Sequence, residues 1–219
     1  MSRNARKSRN SPRRTRVVWT SLAMSMSVVG GGLALLVEDS GQGVGGLTLS
    51  PMVAVAGVSG LESIFRTGAP IEPGRWDSIV IYHSASPYGS PESLDARQQQ
   101  HSRETMGFHF LIGNGSGMGN GDIHVGTRWL SQRPGLHGFA QTDAADPQRA
   151  IGVCLIGDGN RRPFSQIQVQ RLAQLVAALS RELNIPPERV YLQSELGQAA
   201  SPGRYFPEAQ FRELLAGLR

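Results

Sequence analysis

Two apolar runs, SIVIYHSAS (Ser78–Ser86) and AIGVCLIG (Ala150–Gly157), limit this chain more than any other feature. Each is rich in β-branched and aliphatic residues and lacks the polar alternation of a half-exposed strand, so each reads as a buried strand. The elements between and after them alternate in type. SPESLDARQQQHSRE has Ser90 placed as N-cap, Pro91 at the first helical position and good helix formers behind. GFHFLIGNG and GDIHVGTRW are strand-like runs joined by the glycine-rich Gly113–Asp122, which predicts a hairpin loop and not a phosphate cradle, because no helix opens from it. SQIQVQRLAQLVAALSRELN predicts a long amphipathic helix. Ser165 and Gln168 form its capping box, Ile167, Leu172, Leu175, Val176, Leu179 and Leu183 its stripe, and Asn184 with Pro186 its end. VYLQSEL reads as a short last strand and PEAQFRELLAGL as a C-terminal helix. Strands and helices mixed in this order predict an α/β fold, a mixed central β-sheet flanked by helices.

Charge argues against nucleic acid as a partner. The sequence pI is about 10.1, but seven of the 22 Lys and Arg lie before Val17 and no acid precedes Glu38. Residues 38–219 therefore hold fifteen basic against seventeen acidic side chains, and the basicity belongs to a tail. Lys7 is the only lysine, and Cys154 the only cysteine. Lying within IGVCLIG, Cys154 reads as a small buried core residue; alone, it can form neither an internal disulfide nor a multi-thiolate zinc site.

Val17–Val37 is an uncharged stretch of 21 residues. As a helix it would span roughly 31 Å, the thickness of a bilayer core. The expected organisation is a basic cytoplasmic tail (1–16), a transmembrane signal-anchor (17–37), a flexible linker (38–70) and a folded domain (71–219). Basic residues before the span and Glu38 and Asp39 after it place the domain outside the cytoplasm. The alternative is a cleaved signal peptide, for which Ala54-Val55-Ala56 is the one tidy site, leaving a secreted or periplasmic domain. Either way the domain is exported.

From Trp76 to Pro207 the order IVIYHSAS, GFHFLIGNG, GLHG, IGVCLIGDG, amphipathic helix, SPGRYFP resembles the zinc-dependent N-acetylmuramoyl-L-alanine amidases and peptidoglycan recognition proteins. The resemblance implies that fold, a bacterial cell-envelope setting, and peptidoglycan or muropeptide as partner. It also implies a zinc ion on two histidines and a cysteine, with water in the fourth place as the nucleophile that an unactivated amide requires. A tyrosine on the hairpin and, in one branch, a lysine would support the oxyanion. In this sequence the ligand positions fall on Tyr82, Gln193 and Ser201, and the supporting positions on Phe108 and Ala199, so all five are substituted. Neutral hydroxyl and carboxamide oxygens are weak beside imidazole and thiolate. No zinc and no catalytic residue are therefore expected, and the leading reading is a domain that binds peptidoglycan without cleaving it. Two alternatives stand: an active amidase with a non-standard metal site, and a scaffold for an envelope protein.

His83, His101, Phe108, Arg128 and His137 are the candidates for substrate binding, at positions where the resemblance implies a groove. They would supply imidazole hydrogen bonds, aromatic stacking and a guanidinium for a carboxylate. His83 neighbours Tyr82 in a strand, so it is expected to face the opposite way from the metal position. His109 and His124 are expected to be structural or exposed.

Overall fold

The computed structural model describes residues 47–49, 58–102 and 106–218. The expected membrane span at 17–37 lies outside the described residues; among those, no helix is long and apolar enough to cross a membrane. A six-stranded sheet organises the fold. Its strands are β1 (Leu47–Leu49), β2 (Ser78–His83), β3 (Phe110–Ile112), β4 (Ile123–Val125), β5 (Ala150–Leu155) and β6 (Val190–Leu192), in the order β1-β4-β3-β5-β2-β6. β2 runs parallel to both β5 and β6, with Ile79 opposite Ile151 and Val190. β3 runs parallel to β5, and β4 and β1 are antiparallel additions at the far edge.

The two apolar runs thus become the centre of the sheet, and alternation along them feeds two cores. Ile79, Ile81, Ile151 and Val153 pack on one face with Leu172, Leu175, Val176 and Leu179. Val80, Tyr82 and Cys154 pack on the other with Leu94 and Met106. A strand buried on both faces needs this double cover. The first face is covered by α3 (Gln166–Leu183), after α1 (Pro91–Ser102) and the short α2 (Thr127–Leu130). The Ser165 hydroxyl accepts from the Gln168 N–H at 3.1 Å, and the Gln168 side chain accepts from the Ser165 N–H at 3.2 Å. Gln168 also donates to the Ile156 carbonyl at 2.9 Å, fixing the helix start to the end of β5. Asn184 ends α3 in the left-handed conformation, with φ of 55°. One stripe residue departs from expectation: Ile167, in the first turn, is 43% exposed.

Part of the stretch read as linker belongs to the fold. Leu47–Leu49 pairs with β4, and a 3₁₀ segment, Val58–Phe65, buries Leu61 and Ile64 in the core. The Trp129 indole donates to the Ile64 carbonyl at 2.6 Å, a bond no sequence pattern announces. The last strand is shorter than expected. It stops at Leu192, because the Glu195 carboxylate accepts the Leu192 N–H and closes one helical turn, α4 (Gln193–Leu196). The chain ends with α5 (Glu208–Gly217), whose Phe211 and Leu215 enter the core.

His109 and His124 are buried. His109 Nε2 bonds the Arg133 carbonyl at 2.9 Å, which can only accept, so Nε2 carries the proton. Its Nδ1 accepts the Gly152 N–H at 2.9 Å. Burial, with His137 adding to it, pushes the His109 pKa from 6.5 down to about 3.

Two predictions test this packing. Leu175→Ala should cost about 2–5 kcal/mol in urea unfolding, whereas Ile167→Ala should stay within about 1 kcal/mol. For His109 the folded state disfavours the proton and the unfolded chain does not. Its contribution is therefore intact above pH 6.5 and is lost as pH falls from 6.5 towards 3. Unfolding free energy against pH should show this loss, at up to about 1.4 kcal/mol per pH unit from this group, and His109→Gln should flatten it.

Candidate functional site

β2 and β6 lie side by side and point the same way, with Ile81 opposite Leu192, so their C-terminal ends meet. The chain leaving β6 turns through α4 and comes back: the Ser194 N–H donates to the Ser201 carbonyl at 2.8 Å. The Ser201 hydroxyl in turn accepts the His83 N–H at 3.1 Å. Tyr82, Gln193 and Ser201 are thereby gathered at one depression of about 350 Å³, which Phe108, His137 and Ala199 also line. Residues spread over more than a hundred positions of sequence converge there because three parallel strands end at the same side of the sheet.

The centre of this depression is a hydrogen bond between two side chains, each 3% exposed. The Tyr82 hydroxyl lies 2.7 Å from His137 Nδ1, and His137 Nε2 lies 2.9 Å from the Ala150 carbonyl. The carbonyl can only accept, so Nε2 holds the proton and Nδ1 accepts from Tyr82. Burial pushes the His137 pKa down to about 4, against the opposing pull of the Ala150 carbonyl. Burial also drives the Tyr82 phenol well above its ordinary range. At neutral pH the pair is uncharged on both sides. Phe108 packs its ring 5.3 Å from that of Tyr82, and the Gln193 amide donates to the His137 carbonyl at 3.3 Å. Gly152 leaves room for the imidazole, since a Cβ there would stand 3.0 Å from the ring. The Tyr82 hydroxyl, both His137 ring nitrogens and the Gln193 NH2 group are thus already engaged with other parts of the protein. Among the described residues there is no group of three His, Cys, Asp or Glu that could hold a metal ion.

The groove candidates separate. Phe108 and His137 line the depression, but His137 serves mainly as the buried partner of Tyr82. His83 borders it, yet its Nδ1 accepts from the Gly159 N–H at 3.0 Å, in keeping with alternation on β2, and Asp158 lies 3.9 Å away. Burial lowers its pKa while Asp158 raises it. His101 sits in the last turn of α1, and its side chain is outside the described residues. Arg128 corrects the reading. It is 5% exposed, and its guanidinium donates to the Met106 carbonyl at 3.0 Å and the Pro134 carbonyl at 2.8 Å. It fastens two loops and is not available to a ligand carboxylate. Asn160 was missed. Its amide donates to the Ala200 carbonyl at 3.0 Å and forms part of the wall, and nothing marks a lone loop asparagine in advance.

Comparison with known proteins agrees with this architecture. A family model described as N-acetylmuramoyl-L-alanine amidase matches residues 72–204. An endolysin amidase, LysCS from Clostridium intestinale URNW, superposes with a TM-score of 0.50 at 22% identity, covering 68% of this chain and 90% of its own. The crystal structure of a selenomethionine AmpD derivative gives a TM-score of 0.52 at 19% identity, covering 66% and 86%. Human PGRP-IBETAC, solved with a glycosamyl muramyl pentapeptide, gives 0.49 at 16% identity, covering 64% and 82%. No curated protein matches the sequence. The two closer superpositions share the fold, and the family match spans more than half of the residues: the chain belongs to the N-acetylmuramoyl-L-alanine amidase family.

Proposed function

We propose that this amidase-family domain is exported and membrane-tethered and binds peptidoglycan or a muropeptide without cleaving it, holding no zinc. One observation supports the reading above others: the Tyr82–His137 hydrogen bond at the centre of the depression. A catalytic zinc needs anionic or imidazole donors with free lone pairs and an open fourth position for water. Tyr82 would have to lose a proton that its burial holds tightly. Gln193 and Ser201 offer only neutral oxygens, and the Ser201 oxygen already accepts from the His83 backbone. The imidazole bonded to Tyr82, that of His137, has both ring nitrogens engaged. These donors do not fit the ion. Without a Lewis acid the depression has no group able to turn water into a nucleophile for an amide. What it still offers is a shallow wall of aromatic and polar side chains, suited to holding a glycopeptide. Export and tethering rest on the Val17–Val37 stretch and the basic residues before it.

Metal content provides the direct test. Full-length protein purified in the presence of zinc should carry only trace metal, while Tyr82→His/Gln193→His/Ser201→Cys should bind it near stoichiometrically. Stoichiometric zinc in the unaltered protein, with peptide released from muropeptide, would overturn the reading in favour of an active amidase. In a companion assay, insoluble cell wall should retain the full-length protein and release no soluble peptide. Loss of retention on walls from several species, with a protein co-purifying instead, would point to an envelope scaffold.

A further inference from the structure

A second concavity lies beside the depression and shares no lining residue with it. It measures about 460 Å³, within the range of small-ligand sites. The loop that follows β5 separates the two: Asn160 borders the depression, while Asp158, Arg161 and Arg162 border the cavity. This loop is rigidly built. Gly157 adopts a φ of 152°, and a Cβ at Gly159 would stand 1.9 Å from the Pro202 carbonyl oxygen. The Arg161 and Arg162 N–H groups both donate to the Asp158 carbonyl at 3.0 Å.

The cavity joins an apolar floor to a cationic rim. Ile156 and Phe164 lie at the bottom, and the Ser116 hydroxyl stands on the hairpin side. The rim is basic although residues 38–219 as a whole carry more acids than bases. Asp158 is matched by Arg161 at 3.3 Å, and among the described residues Arg162 has no ion-pair partner. With two guanidiniums, Arg161 and Arg162, against the one carboxylate of Asp158, and the apolar Ile156 and Phe164 in the same lining, the cavity suits a ligand with one carboxylate and one apolar side.

We infer that this cavity is a second binding site, for an acidic N-acetylated sugar whose carboxylate meets Arg162 and whose ring lies against Ile156 and Phe164. The inference rests on the cell-wall reading for its choice of sugar. N-acetylmuramic acid has a free carboxylate only when no peptide is attached to it, so the cavity would recognise glycan already stripped of its peptides. The reaction that supplies this ligand is hydrolysis of the muramoyl–alanine amide, carried out by another protein.

Saturation-transfer NMR titrations of the full-length protein in detergent, with N-acetylmuramic acid, N-acetylglucosamine and D-alanyl-D-alanine, test the inference. N-acetylmuramic acid should bind at least tenfold tighter than N-acetylglucosamine, and Arg162→Glu, a change at an exposed side chain, should abolish that preference at unchanged melting temperature. Ser116→Ala should weaken both sugars about equally. Equal affinity for the two sugars, an unaltered preference in Arg162→Glu, or tighter binding of D-alanyl-D-alanine would each overturn it. Retention on whole wall, measured in parallel, separates the two readings: retained protein with no sugar preference defeats the second site and leaves wall binding intact.

Discussion

Parallel pairing of β2 between β5 and β6 is the constraint from which the rest of the structure follows. A parallel strand at the centre of a sheet has two faces to hide, so one sequence run must serve two cores at once. Ile79 and Ile81 serve the core under α3, and Val80 and Tyr82 the core under α1. Parallel direction also brings the strand ends to one side, where loops from distant parts of the chain collect. The depression is a consequence of that geometry, whatever residues happen to occupy it.

The occupants decide its chemistry. A phenol and an imidazole, buried and bonded to one another, leave an uncharged centre. His109 continues the same arrangement towards the hairpin, its ring 5.9 Å from that of His137, with Gly152 accommodating both. Low dielectric keeps both imidazoles neutral, and neutral imidazoles can accept backbone and side-chain hydrogens that imidazolium could not. Hydrogen bonds between Tyr82, His137, His109 and the backbone of β5 thus tie the parts of this scaffold together.

Much of the fold was legible because it is written in local patterns. The capping box at Ser165, the αL end at Asn184 and the hairpin glycines each depend on neighbours within a few residues. Three readings missed for the same kind of reason. Ile167 fits a helical stripe, yet in the first turn of α3 it is Gln168 and Val169, its neighbours, that are buried against the sheet. Arg128 fits the part of a guanidinium for a ligand carboxylate until two loop carbonyls close around it. Leu61 and Ile64 sit in a stretch whose composition suggests a linker, and only the core they fill shows otherwise.

Local order by itself determined the strand runs and the long helix, since periodicity and capping are properties of short segments. Family resemblance, and not local order, put the expected metal-ligand positions on Tyr82, Gln193 and Ser201, none of which is an imidazole or a thiolate. Tertiary structure alone decided that Tyr82 and His137, 55 residues apart, are joined by a hydrogen bond, and that Arg128 lies inside while Arg161 and Arg162 lie outside. Such pairings depend on distance and burial, and these exist only once strands far apart in the chain have been laid side by side.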